Sequence, residues 1–238
     1  MWGPEFSQTI NYLSGRICNS RTNAIRSNKD VTMEVTQYWD DIDARLKLLV
    51  TDGFVKLPSL ETFRLDGVAE SINAEMNGDT FTELCSSHQL FLQDLCLENN
   101  LTPKLFEIAR DILGYKGEMS NQYHIARRVE PGNSNEMFRA HFDSHLFTMV
   151  LPIKIPKQTN GGAVGELIYF PNARRVPKNE IINFVGKASH KRFASKEGIE
   201  KFAENHQKIT DDFQDYSPLL FIGNTTLHTN KQVSSDCS

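Results

Sequence analysis

Three residues of this chain have the types and spacing to hold a metal. His141-Phe142-Asp143 supplies an imidazole and a carboxylate two positions apart. His228 supplies a second imidazole at the end of the apolar run Ser217-Pro-Leu-Leu-Phe-Ile-Gly-Asn-Thr-Thr-Leu-His228. In a strand, residues two apart share a face, so His141 and Asp143 can point inward together while Phe142 points out. Two imidazoles and one carboxylate cover one face of a ferrous ion and leave the other open for ligands and O₂. Zinc accepts the same donors, and the chemistry would then be hydrolytic. An HxD tripeptide is short, so the elements around it must decide.

The elements that would position these residues are helical first and strand-rich later. Apolar residues at Tyr38, Trp39, Ile42, Leu46, Leu48 and Leu49 follow helical spacing over 38–50, and Asp52-Gly53 breaks that helix. Phe54-Val-Lys-Leu-Pro58 reads as a short strand. Helices are expected over about 60–76 and 80–99, and another from Thr102-Pro103 to a stop at Gly114. Beyond Gly114 the texture turns β-rich: 123–129, 137–155, Gly165-Glu-Leu-Ile-Tyr-Phe170 and 219–222 read as strands. A charged stretch over about 178–210 reads as a helical insertion. The expectation is an α+β fold: a polar lead-in over 1–36, then one domain over 37–238. Within it, 37–116 forms a mainly helical layer and 117–238 a β-sandwich or barrel core.

Bulk composition excludes several classes. The 238 residues are 39% hydrophobic with 15 Phe, enough to fill a core. A net charge of −4 gives no pull toward nucleic acid or an anionic membrane surface, and neither partner is expected. No run approaches the roughly 18 apolar residues of a membrane span, and no signal-peptide core opens the chain. Cys18, Cys85, Cys96 and Cys237 lack framework spacing and read as free thiols, which favours a cytoplasmic location. The first six residues, Met-Trp-Gly-Pro-Glu-Phe, carry no structural weight.

The order of motifs carries a resemblance. Asp52-Gly-Phe-Val-Lys-Leu-Pro58 comes first, then a helix ending Ile108-Ala-Arg-Asp-Ile-Leu-Gly114, then His141-Phe-Asp143. Gly165-Glu-Leu-Ile-Tyr-Phe-Pro-Asn-Ala-Arg174 and Pro218-Leu-Leu-Phe-Ile-Gly-Asn-Thr-Thr-Leu-His228 follow. This succession, over roughly residues 45–230, resembles the phytanoyl-CoA dioxygenase-like branch of the Fe(II)/2-oxoglutarate-dependent dioxygenases. The resemblance implies a double-stranded β-helix (jelly-roll, cupin-like) with an N-terminal helical layer and a helical insertion before the last strands. It implies an oxidoreductase whose iron is held by His141, Asp143 and His228. The co-substrate would be 2-oxoglutarate, and a small-molecule substrate would be hydroxylated with release of succinate and CO₂. A carboxylate at Asp143 also argues against the halogenating subgroup, where a small residue leaves room for halide.

Contacts to the co-substrate are less well defined. The family usually anchors the distal carboxylate with an Arg or Lys on the last strand, beyond the second histidine, where a guanidinium fork pairs with it. Here Gln232–Ser238 holds no basic residue, and Lys231 would be turned from the His228 face by strand alternation. Either the reading frame continues past Ser238 or another cation takes the role. Asn230, two past His228, occupies a place where a polar residue often assists. Gln122, His124, Arg128 and Arg174 are the further candidate co-substrate contacts, with Arg139 and Lys154 as other cations to weigh. His145 could line the pocket, whereas Thr148 is odd-spaced from Asp143 and would need a bulge to share its face. His190 and His206 fall in the charged insertion and read as surface residues. Arg174, Arg175, Lys178, Lys187, Lys191, Arg192 and Lys196 could make that insertion a lid attracting an anionic substrate. Two other readings stay open: a non-catalytic scaffold that binds a ligand or partner, and a metal-dependent cupin-like enzyme that does not use 2-oxoglutarate.

Overall fold

Apolar spacing builds the helical layer. The computed structural model describes residues 8–13, 37–63, 65–78, 80–83, 91–93, 95, 97–119, 123–132, 139–157, 161–176 and 195–237. Helix α1 (Ile42–Asp52) buries Ile42, Leu46 and Leu49, the one-face spacing of an amphipathic helix. It stops at Gly53, whose φ of 82° is left-handed and whose N–H bonds the Leu49 carbonyl at 3.0 Å. Helix α2 (Leu65–Met76) buries Leu65, Ala69, Ile72 and Met76. Helices α3 (Leu97–Asn100) and α4 (Thr102–Asp111) follow, and Pro103 sits in the first turn of α4, where its missing N–H costs nothing. Helix α5 (Lys196–Ala203) is capped by Ser195, whose Oγ accepts from the Gly198 N–H at 3.0 Å, and it buries Ile199 and Phe202.

Nine strands among the described residues form two open sheets and no closed barrel. They are β1 (Gln8–Leu13), β2 (Phe54–Lys56), β3 (Phe81–Glu83), β4 (Tyr123–Arg127), β5 (Phe147–Pro152), β6 (Leu167–Phe170), β7 (Ile209–Asp211), β8 (Leu219–Ile222) and β9 (Leu227–Asn230). The larger sheet runs β2-β8-β5-β1-β4-β3 and the smaller β7-β6-β9. Strand β1 lies parallel to both its neighbours, and every other pairing is antiparallel.

Strand alternation sorts the side chains into layers. On the large sheet, Phe147, Met149 and Leu151 of β5, Leu220 and Ile222 of β8, and Ala126 of β4 join the core shared with the helices. Val150, Leu219 and Phe221 point the other way and meet Leu167 and Tyr169 of the small sheet, with Phe213 completing that cluster. Ile168, Phe170 and Leu227 on the far face of the small sheet pack under Ile199 and Phe202 of α5. The order is therefore helices, large sheet, small sheet, α5. Each fully buried Phe ring, such as Phe221 or Phe170 at 0% exposure, contributes about 1.5–3 kcal/mol by leaving water.

Several expectations need correction. Residues 8–13, placed in the polar lead-in, form a strand whose partners lie more than a hundred residues away. The helix expected over 80–99 is not continuous: Phe81–Glu83 forms strand β3, whose Phe and Thr favour extended backbone, and helix is found at 91–93 and in α3. The helix expected from residue 60 begins at Leu65, because 60–63 form turns. The single strand expected over 137–155 is interrupted, with residues 142–146 outside any ladder. Of the charged insertion, only 195–210 is described, and it ends in strand β7 rather than helix. No helix among the described residues is long and apolar enough to cross a membrane.

The turn at Gly53 also meets the small sheet. A Cβ there would stand 2.7–2.9 Å from the Asn172 side chain. Gly53→Ala combines that overlap with a left-handed φ and should lower unfolding free energy by about 1–3 kcal/mol in urea denaturation.

Candidate metal centre

The site forms where the chain crosses from one sheet to the other. His141 and His228 face each other as an isolated antiparallel bridge, exchanging N–H···O bonds of 3.1 and 3.0 Å. This adds the His141 segment to the β9 edge of the small sheet. Two residues later the Asp143 N–H bonds the carbonyl of Gly223, at the end of β8 in the large sheet, at 3.1 Å. The Gly223 N–H in turn bonds the Leu146 carbonyl at 2.9 Å, and β5 begins at Phe147. The HxD segment thus staples both sheets at one end of their shared core.

His141, Asp143 and His228 each offer a ligand atom, and the three atoms lie within 4.8 Å of one another. His141 Nε2 is 3.4 Å from Asp143 Oδ1, and His228 Nε2 is 3.7 Å from Asp143 Oδ2. Donors bonded to one metal at roughly 2.0–2.2 Å stand about 3–3.6 Å apart, so small side-chain movements close the set. Both imidazoles have their other nitrogen tied to a carbonyl. His141 Nδ1 donates to Arg139 O at 2.8 Å, and His228 Nδ1 meets Thr226 O at 3.3 Å. Because a carbonyl only accepts, each ring carries a proton on Nδ1, and Nε2 is the atom turned toward Asp143 and able to bind a metal once deprotonated.

Electrostatics holds Asp143 and His228 in ligand-ready form. Burial drives the His228 pKa down to about 4 against the pull of Asp143, so this imidazole is neutral near pH 7. Burial would raise the Asp143 carboxyl, but His228, His141 and the Thr148 hydroxyl together outweigh it and hold it well below the usual carboxylate range. Burial also opposes charge on His141, but its bond and attraction to Asp143 win and raise its pKa. One anionic oxygen ligand and two imidazoles suit a divalent first-row metal, iron included. Exposure is uneven: the side chains of Asp143 and His228 are 12% and 7% exposed, while that of His141 is 52% exposed. The site therefore opens on the His141 side.

Two residues that sequence reasoning ranked low or passed over complete the surroundings. Thr148 Oγ1 donates to Asp143 Oδ2 at 2.5 Å and is fully buried. Its odd spacing from Asp143 does not matter, because 142–146 leave the ladder and reset the alternation. Gly223 lies against the same pair: a Cβ there would overlap Thr148 Oγ1 and approach Asp143 Cβ to 3.1 Å. A glycine between a buried strand and a ligand-bearing strand was the available signal.

The other candidates fall on different faces. Arg128 pairs with Glu130 at 2.7 Å and bonds the Asn73 side chain of α2, so it belongs to the helical layer. Alternation puts buried His124 on that same side of β4, away from the triad. Arg174 donates to the Asn224 carbonyl at 2.7 Å and stacks 3.9 Å above the Phe142 ring, bracing the ligand segments from behind. Burial lowers its pKa to about 10. Asn230 Nδ2 meets the Gly165 carbonyl at 3.3 Å, and Lys231 pairs with Glu166 at 3.1 Å. His145 is half-buried in the turn before β5, and Lys154 is half-buried just after it. His206 stacks on Phe202 at 3.9 Å and meets its carbonyl, closing the end of α5. Cys237 is a buried free thiol. Gln122, His190, Lys178, Lys187, Lys191 and Arg192 lie outside the described residues, as do Cys18, Cys85 and Cys96.

No family model, curated protein or solved structure matches the chain.

Thr148→Val removes the hydroxyl that orients Asp143 while keeping the shape. Losing such a support commonly costs about 10–100-fold in metal affinity. Competition titration with a chelating dye should show a fall in that range, with the far-UV spectrum unchanged.

Proposed function

We propose that the chain is a non-haem Fe(II)- and 2-oxoglutarate-dependent oxygenase that hydroxylates a small-molecule substrate and releases succinate and CO₂. The observation that carries the reading is the convergence of His141, Asp143 and His228 with both Nε2 atoms presented and one side open. Three protein ligands on one face leave positions for a chelating co-substrate and O₂, as this chemistry requires. The fold supports the same reading. The His141 bridge extends the small sheet to four members, His141-β9-β6-β7, facing the large sheet across a shared apolar core. We read this as the double-stranded β-helix of the phytanoyl-CoA dioxygenase-like branch, with α1 to α4 as its helical layer.

Bound iron and 2-oxoglutarate would supply the oxidising equivalent for C–H cleavage. The protein's own part is to bind, orient and protect. Asp143, anionic across the working pH range, offsets one of the metal's charges. Thr148 and the Gly223 carbonyl fix its carboxylate and its backbone. His228, neutral and almost fully buried, forms the closed wall, and Phe221 packs 5.1 Å from its ring to keep water from that side. His141, half-exposed, borders the entrance through which substrate reaches the metal.

Asp143→Ala should remove iron-dependent succinate formation, lowering it at least about a hundredfold in an assay with 2-oxoglutarate and O₂. Unchanged turnover would sink the assignment. Turnover that persists with Zn(II) or Mn(II) under strict anaerobiosis would instead favour a cupin-like enzyme that does not use 2-oxoglutarate.

A further inference from the structure

On the side turned away from the three donors, the two ligand-bearing segments meet at a single side chain. Phe142 stands between His141 and Asp143, and its ring is buried with Phe170, Leu227 and the α5 residues Ile199 and Phe202. The Arg174 guanidinium lies 3.9 Å from the centre of that ring. The same group donates from Nε to the Asn224 carbonyl at 2.7 Å. Asn224 belongs to the tight turn from β8 to β9, where the Thr225 and Thr226 N–H groups both reach back to the Ile222 carbonyl. That turn delivers His228, and its Thr226 carbonyl meets His228 Nδ1. Arg174 thus touches both the segment carrying His141 and Asp143 and the turn leading into His228. Its own base is fixed. It sits just past the end of β6, where fully buried Phe170 pairs with Leu227. In between, Asn172 takes a left-handed φ of 51° and its side chain lies against the Gly53 turn.

We infer that Arg174 is a positioning residue for the metal centre, fixing the spacing between the HxD segment and the β8–β9 turn and so holding the three donors at metal-binding distance. The inference rests on the proposed metal centre and goes beyond it by naming what sets its geometry from outside the ligands. The His141–His228 bridge sets the register of the two segments, and the Gly223 carbonyl receives the Asp143 N–H. Neither restrains how the segments tilt about that pairing. Arg174 supplies the restraint from behind, against one ring and one carbonyl. A planar guanidinium can lie on a ring face and still donate from its edge, whereas an ammonium is a point charge that cannot serve both at once. Placed behind Phe142, Arg174 raises metal affinity by pre-organising the donors and not by touching a bound group.

Two readouts on the full chain test this: Fe(II) affinity by anaerobic competition with a chelating dye, and the visible absorption of bound Co(II), which follows coordination geometry. Arg174→Gln should weaken Fe(II) binding roughly tenfold to a hundredfold and shift or broaden the Co(II) bands. Arg174→Lys, which keeps the charge but not both contacts, should weaken binding less. Phe142→Leu keeps apolar bulk under α5 but removes the ring face, and it should weaken binding too. Adding Arg174→Gln to Phe142→Leu should then cost less than Arg174→Gln costs alone. Ile199→Val trims the same apolar cluster from the α5 side. It should lower the melting temperature yet leave Fe(II) affinity within about twofold. Wild-type Fe(II) affinity and Co(II) bands in folded Arg174→Gln overturn the inference. Equal losses of affinity in Ile199→Val and Arg174→Gln overturn it too, because general packing would then explain both. If Arg174→Gln does not fold, Arg174→Lys and Phe142→Leu decide by the same two readouts. Wild-type protein that binds no divalent metal contradicts the metal centre itself, and the inference falls with it.

Discussion

The rest of the site depends on the antiparallel exchange between His141 and His228. Two backbone hydrogen bonds bring together residues 87 positions apart in the chain and set their rings 4.3 Å from centroid to centroid. Loop closure over such a separation is entropically costly, and the costs are offset mainly elsewhere, in the apolar core between the sheets. Once that bridge forms, Asp143 follows two residues on and is caught by the Gly223 carbonyl of the opposite sheet. The candidate metal donors are therefore positioned by backbone pairing at a sheet end, which is stiffer support than a free loop would give.

The same arrangement explains the balance of charges. A buried carboxylate is expensive unless it is paired and hydrogen-bonded, and Asp143 has an imidazole on either side and a threonine hydroxyl. Burial keeps His228 neutral rather than locking it into a permanent ion pair with Asp143. A metal entering such a site would meet one anion and the neutral imidazole of His228, and would displace the proton that Asp143 favours on His141. The buried neighbours Asn224, Thr226 and Thr229 each keep a side-chain oxygen without a hydrogen-bond partner. The turn into β9 and β9 itself are thus more polar than a purely structural core segment would be.

Much of this was legible in the residues, for physical reasons that can be named. Helices α1 and α4 announce themselves through apolar spacing, Gly53 and Thr102-Pro103, because those signals are local. The grouping of His141, Asp143 and His228 was legible because two share a tripeptide and the third ends an apolar run. Strand β1 was not, since Gln8-Thr-Ile-Asn-Tyr-Leu13 has a polar texture and its pairing is entirely non-local. Alternation predicts which residues of β4 share a face but not which face meets the helices, and so Arg128 was weighed as a co-substrate contact although it bonds Asn73 of α2. Thr148 was discounted by counting parity through 142–146, where no ladder maintains it.

The central claim is that His141, Asp143 and His228 form one three-ligand metal centre with an open side. Anomalous diffraction from crystals grown anaerobically with Mn(II), a redox-quiet stand-in for Fe(II), tests it most directly. The expected result is a single strong peak bonded to His141 Nε2, one Asp143 oxygen and His228 Nε2, with its remaining positions taken by water or added 2-oxoglutarate. No peak at this place, or a metal closed off by a fourth protein ligand, would contradict it.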